Sequence, residues 1–286
     1  KDQWRLLPEQ LEDFCQRNKR PDGNPYLLIL NYPGNPDGIT YGAESVKQLA
    51  ETCRKNNIYI LSDEIYGQLH HEGKHVSIAK YYPEGTIISS GLSKWCGAGG
   101  WRLGTFSFPA KLHWLMDAMA AVASETYTSV SAPIQYAAIQ AFLCGSEIEN
   151  YLSHVRKILA LLGKETAAIL KNGNISVNDP TGGFYLFLDF TPLSEKLVKR
   201  GIADGSILCD RLLDECGVAI LPGVDFNRPA EELSARLSYV DFDGAKALSA
   251  SYSIPLHEKF PADFLFQYCG NVIEAAEKIV EWGNAE

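Results

Sequence analysis

A glycine-rich stretch, GLSKWCGAGGWRLG at residues 91–104, carries one amine, Lys94, and one guanidinium, Arg102, eight positions further on. A lysine amine becomes nucleophilic near neutral pH when neighbouring cations and desolvation lower its pKa. An arginine fork grips an anion through two parallel hydrogen bonds. Glycines let the backbone run close to a ligand. Two further polar segments lie upstream: PGNPDG holds Asn35, and SDEIYG holds Asp63 and Tyr66. A carboxylate, an amide, a phenol and an amine are thus available for one site, with a guanidinium behind the amine. Each also has a plainer reading. Asn35 is a common turn former, Asp63 and Glu64 can cap a helix, Tyr66 can be packed, Lys94 can be solvated, and Arg102 can pair with any carboxylate. The case for a site rests on order and spacing together.

What would gather these residues is a sheet. Apolar runs at residues 26–31 (YLLILN), 58–63 (IYILSD), 86–90 (TIISS) and 103–108 read as strands, the first two as buried ones. Helical spacing covers 6–17 and 43–55. Strands alternating with helices predict a mainly parallel α/β sheet. In such a sheet ligands bind beyond the carboxyl ends of the strands. Asn35, Asp63 with Tyr66, and Lys94 each follow one strand and would share that rim. Helices are predicted at 110–123, 132–143 and 147–171, the last long enough to connect two domains. After Asn172-Gly173-Asn174 the pattern changes to strands at 184–189, 218–221 and 236–240 and helices at 205–216 and 262–282. The expected organisation is a partial large domain, 1–171, including the connecting helix 147–171, then a smaller α+β C-terminal domain, 172–286.

Composition narrows the class. Of 286 residues, 46% are hydrophobic and 21% charged, and the formal net charge is −9. That balance argues against a nucleic-acid surface, which is usually basic. No apolar run approaches the roughly 18 residues of a membrane span. Seven cysteines are scattered without CxxC spacing, which argues against a zinc site or disulfide framework and fits a reducing, cytoplasmic location. His70, His71 and His75 lack companions at ligand spacing and read as a polar loop; no metal is expected. The opening KDQWRLLPEQLEDFC has no apolar signal core, although an organelle-targeting segment could precede it.

The motifs together resemble the class I/II aminotransferases of the fold-type I pyridoxal-phosphate enzymes. GLSKWCGAGGWRLG is similar to the family's lysine signature, including the interval from lysine to arginine. PGNPDG resembles its N-P-[TD]-G turn, SDEIYG its D-x-x-Y segment, GGFYLFLDF the strand opening its C-terminal domain, and ARLSYV its R-[LI]-S-[FY] strand. The likeness runs from about Leu6 to the C-terminus. It implies that Lys94 bonds the aldehyde of pyridoxal 5′-phosphate and Asp63 keeps the pyridine nitrogen protonated. It implies that Tyr66 and Asn35 hydrogen-bond the phenolic oxygen, that Arg102 and Ser93 hold the phosphate, and that Arg236 grips the substrate α-carboxylate. The implied activity is ping-pong transfer of an amino group from an α-amino acid to a 2-oxo acid, by a homodimer in the full-length form, with no nucleic-acid or membrane partner.

Gly91 stands where many relatives have serine, so one phosphate hydroxyl is expected to be missing. Relatives also carry an N-terminal part with the first sheet strands, a phosphate-binding loop and an aromatic residue stacked on the ring. Without it, the four strands are expected to form a half-sheet with two open edges, and activity alone is expected to be impaired. The same residues would serve a cyclopropane-carboxylate synthase or a C–S lyase. An aminotransferase-like domain of a transcriptional regulator, or a fragment without activity of its own, are the other readings.

Overall fold

A computed structural model describes residues 4–285. The first unit opens with α1 (Pro8–Arg17), which starts on a proline where the first helical N–H needs no partner. Strand β1 (Tyr26–Asn31), α2 (Ala43–Lys55), β2 (Ile58–Asp63), β3 (Thr86–Gly91) and β4 (Gly104–Ser107) follow. The sheet order is β1-β2-β3-β4. The first three strands are parallel and β4 is antiparallel to β3. In register, Asn31 lies opposite Asp63, and Asp63 opposite Ser89. Helix α2 buries Val46, Leu49, Ala50 and Cys53, the spacing of a one-faced helix. These pack with Leu30, Ile58 and Ile60 into the core on that side of the sheet.

The other side of β1 is open. YLLILN is not buried throughout: Leu28 and Leu30 face the core, but Leu27 and Ile29 are 61% and 66% exposed. A parallel sheet ordinarily has both faces covered, and here the odd positions of β1 have no helix over them. Helices α3 (His113–Thr126) and α4 (Ala132–Phe142) complete the unit. The turn at Ala110–Leu112, expected to be part of α3, is a separate 3₁₀ turn.

Helix α5 (Ser146–Asn172) spans the change of unit. By packing, the chain divides into two units between Leu152 and Ser153. From that point α5 belongs to the second unit: His154 Nδ1 meets Ser251 Oγ at 2.7 Å. A Cβ on Gly163 would stand 2.8 Å from both Pro180 and the Tyr239 hydroxyl. Residues Gly34–Ile39 also belong to the second unit. The Gly38 carbonyl accepts from Thr181 and Gly182 N–H (2.8 and 3.1 Å), and a Cβ on Gly38 would collide with the Tyr185 carbonyl at 2.4 Å.

The second unit continues with β5 (Tyr185–Asp189), α6 (Ser194–Lys199), α7 (Gly205–Cys216), β6 (Leu221–Pro222), β7 (Ser234–Ser238), α8 (Gly244–Tyr252) and α9 (Phe264–Asn284). Its antiparallel sheet is ordered β5-β7-β6. Asp204 caps α7 by accepting from Ile207 N–H (2.8 Å), and Gly217 at φ +68° ends it. Residues 218–220, expected in a strand, pair with nothing as a ladder; only Leu221–Pro222 does. The 236–240 strand lies two positions earlier, and α6 and α8 had no counterpart in the expected elements.

Candidate active site

In the first unit Asp63 closes β2, between Asn31 and Ser89 on its neighbours. Its carboxylate is half-buried. Oδ1 accepts from Ile65 N–H (3.3 Å), and Asn31 Nδ2 donates to the Asp63 main-chain oxygen (3.1 Å). Desolvation raises the Asp63 pKa and the Glu64 charge adds to it; hydrogen bonds from Ile65 N–H and the Asn31 side chain oppose the shift. No α-helix follows for Asp63 to cap; the chain passes into a 3₁₀ turn, Gly67–Leu69.

Tyr66 opens that turn and is 3% exposed. The Lys94 ammonium lies 5.9 Å from the centroid of its ring, within the range of a cation–π attraction. Lys94 sits just past the carboxyl end of β3, with Ser93 half-buried beside it. Backbone hydrogen bonds shape the glycine-rich run, among them Gly97 N–H to Lys94 O (3.1 Å), Ala98 N–H to Leu92 O (3.2 Å) and Trp101 N–H to Ala98 O (3.0 Å). Arg102 ends the run in the left-handed region (φ +57°), its Nη1 donating to Gly99 O at 2.8 Å. Gly91 has a packing reason of its own. A Cβ there would stand 2.6 Å from the Leu103 carbonyl oxygen and 3.1 Å from Gly104 Cα.

The second unit gathers the other two expected residues. Arg236 on β7 lies between two rings, 4.7 Å from the Tyr185 centroid and 4.9 Å from that of Phe226. Its Nη1 donates to Asn35 Oδ1 at 2.9 Å. Its Nε is buried and has no hydrogen-bond partner. A buried unpaired guanidinium N–H is costly unless an acceptor arrives. Within the second unit Asn35 thus faces Arg236. Asp63, Tyr66 and Lys94 are therefore gathered in one unit, and Asn35 with Arg236 in the other.

Three participants had no sequence signal. Asn31 reaches Asp63 because the parallel register sets them side by side. Tyr185 reaches Arg236 from β5, and Phe226 from the turn Gly223–Phe226 that precedes β7.

The sequence matches the family described as aminotransferase class I and II over residues 1–245. This chain belongs to that family. The aspartate aminotransferase of Bacillus subtilis is 33% identical over 241 residues, which cover 82% of this chain and 57% of that protein. The aspartate aminotransferase of Geobacillus stearothermophilus is 32% identical over the same shares. Among solved structures, the aspartate aminotransferase from Thermus thermophilus with maleate superposes with a TM-score of 0.72 at 26% identity, covering 96% of this chain and 62% of that one. The chain thus spans 57% of the length of the two curated relatives.

The family is pyridoxal-phosphate-dependent, and the donor set fits that group. Asp63 offers an anion for a protonated ring nitrogen, Lys94 an amine for an aldehyde, and Arg102 with Ser93 a cation and hydroxyl for a phosphate. The partnerless Arg236 Nε suits a substrate carboxylate. Among the described residues no cluster of His, Cys, Asp and Glu could hold a metal ion. No helix of the described residues is long and apolar enough to cross a membrane.

Proposed function

We propose that the protein containing this chain transfers the amino group of an α-amino acid to a 2-oxo acid in two half-reactions, with pyridoxal phosphate as cofactor. The observation that carries the reading is the grouping of Lys94 over the buried Tyr66 ring, just beyond the strand end that presents Asp63. When bound, the cofactor supplies an electron sink that acidifies the substrate α-carbon. Asp63 keeps the ring nitrogen protonated; its raised pKa reflects a carboxylate that gains stability once a cation pairs with it. Tyr66 and Asn35 would be the hydrogen-bond partners of the ring hydroxyl. Lys94 would hold the aldehyde end of the cofactor, and its amine would take the proton from the substrate α-carbon and return it. Arg102 and Ser93 hold the phosphate. Arg236 would take the substrate carboxylate through its fork, with the Tyr185 and Phe226 rings 4.7 and 4.9 Å from its guanidinium carbon limiting its movement.

We also propose that these residues form the C-terminal part of a longer, homodimeric enzyme and that activity is impaired without the rest. The support is the uncovered face of β1, the exposed α3, none of whose residues is buried, and the fraction of its relatives that the chain spans. The seven free thiols suit a reducing compartment.

The test is a two-substrate assay on the full-length protein, with aspartate or glutamate as donor and a 2-oxo acid as acceptor. Transamination that disappears in Lys94→Ala is the expected result. Transamination retained by Lys94→Ala would sink the reading. Elimination without any need for an acceptor would make the protein a lyase.

A further inference from the structure

Behind Asp63 and Tyr66 lies a second polar cluster that neither the carbon chemistry nor the phosphate needs. Glu64, the neighbour of Asp63, has a side chain only 9% exposed. It has three partners. Oε1 accepts from Ser62 Oγ (2.9 Å) and Ser77 Oγ (2.6 Å), and Oε2 faces His75 Nε2 at 2.9 Å. With its proton on Nε2, His75 donates to Glu64 and leaves Nδ1 buried without a partner. The carboxylate ties the three together, because removing it leaves each of them short of a hydrogen-bond partner.

Ser62 lies on β2, whereas His75 and Ser77 come from the loop before the turn Ile78–Lys80. That loop is fastened from below as well. Tyr32 OH accepts from Ile78 N–H (2.7 Å) and donates to Val76 O (3.2 Å). The Tyr32 ring lies 5.1 Å from the His75 imidazole. The imidazole in turn roofs Gly67, where a Cβ would sit 2.9 Å from His75 Cδ2. Glu64 is thus the point at which the 70–78 loop is latched onto the segment bearing Asp63 and Tyr66.

We propose that Glu64 is a positioning residue: through Ser62, Ser77 and His75 it clamps the Asp63–Gly67 segment and so sets where Asp63 and Tyr66 meet the cofactor ring. This rests on the roles assigned to those two residues above. Glu64 acts only through the segment it holds, without touching cofactor or substrate.

Two measurements on the full-length protein test it. The first is amide exchange of the cofactor-free protein over residues 63–70, where Gly67 and Leu69 N–H bond the carbonyls of Glu64 and Tyr66 (both 2.8 Å). The second is titration with pyridoxal phosphate, followed by the visible absorbance of the bound cofactor. Glu64→Ala is expected to speed exchange in that segment and weaken cofactor binding about tenfold, the weight of one charged hydrogen bond. Glu64→Gln, which still offers an oxygen to both serines, is expected to recover most of both effects. If Glu64→Ala does not fold, Ser77→Ala removes only the 2.6 Å bond and should show the same two changes in smaller measure. Exchange and affinity within about twofold of native in the folded variant would overturn the proposal, whatever its melting temperature. Should the native protein bind no pyridoxal phosphate, the functional reading fails, and the exchange arm decides the latch by itself.

Discussion

At the residue scale, Asp63 is a carboxylate kept half out of water at the end of a strand. Burial lifts its pKa, so the folded protein holds that proton more tightly than the unfolded chain. Such a group favours folding below its unfolded pKa, and that contribution is lost as pH rises through the folded value. Cofactor-free Asp63→Asn should therefore melt higher than the native protein at neutral pH, with the gap closing as pH falls towards about 4. Thermal melts across that range check the sign; a gap that widens on acidification would be wrong for a raised pKa. The same substitution should abolish transamination. Arg102 poses a similar trade. Its left-handed backbone is strained by about 1 kcal/mol, so Arg102→Gly relieves strain while enlarging the entropy of the unfolded chain by a comparable amount. Stability should move by less than about 1 kcal/mol. Affinity for pyridoxal phosphate should fall about thirtyfold, as loss of a charged contact of about 2 kcal/mol implies. Melting and cofactor titration on one preparation separate the two.

At the element scale, Gly91 shows why a family position need not be filled as its relatives fill it. Glycine there looks like a missing phosphate hydroxyl when only the sequence is read. In the fold the position is where β3 and β4 close on one another, and a side chain would push into the Leu103 carbonyl. Gly91→Ser is expected to lose about 1–3 kcal/mol of stability, as overpacking does, and to gain no affinity for phosphate or cofactor. A rise in phosphate affinity measured by calorimetry would contradict this. The parallel strands themselves were legible. Their apolar runs end in the polar residues Asn31 and Asp63, and period and punctuation agree. Register turned that ending into a rim. Other features were not legible for a physical reason. Arg236 meets Asn35 across 201 positions of chain, and Glu64 draws His75 and Ser77 from a loop with no periodicity of its own. Residues 218–220 look like a strand because Val218 and Ile220 are apolar and buried, but burial alone does not supply a ladder partner.

At the scale of the whole molecule, the question is what covers the apolar surface. The run YLLILN reads as buried because its residues are apolar, yet a residue is buried only if something lies over it. Leu27 and Ile29 project from β1 into the open, and Trp114 and Val122 on α3 are 66% and 63% exposed. Single exposed apolar side chains are ordinary, but contiguous ones mark surfaces that bind, and β1 is also an unpaired sheet edge. The 286-residue chain by itself should therefore bind an apolar dye and self-associate as concentration rises. Replacing Leu27 and Ile29 by threonine keeps strand propensity while removing apolar area from that face. Leu27→Thr/Ile29→Thr should lower dye fluorescence and shift sedimentation velocity profiles towards the monomer. The core should survive, since Leu28 and Leu30 face the other way. In the full-length protein the same double change should instead weaken folding, because the face would then be covered and each buried side chain contributes about 1.5–3 kcal/mol. A double variant that is harmless in the full-length protein would mean that β1 stays uncovered there too, and the reading of this chain as one part of a larger packed domain would fall.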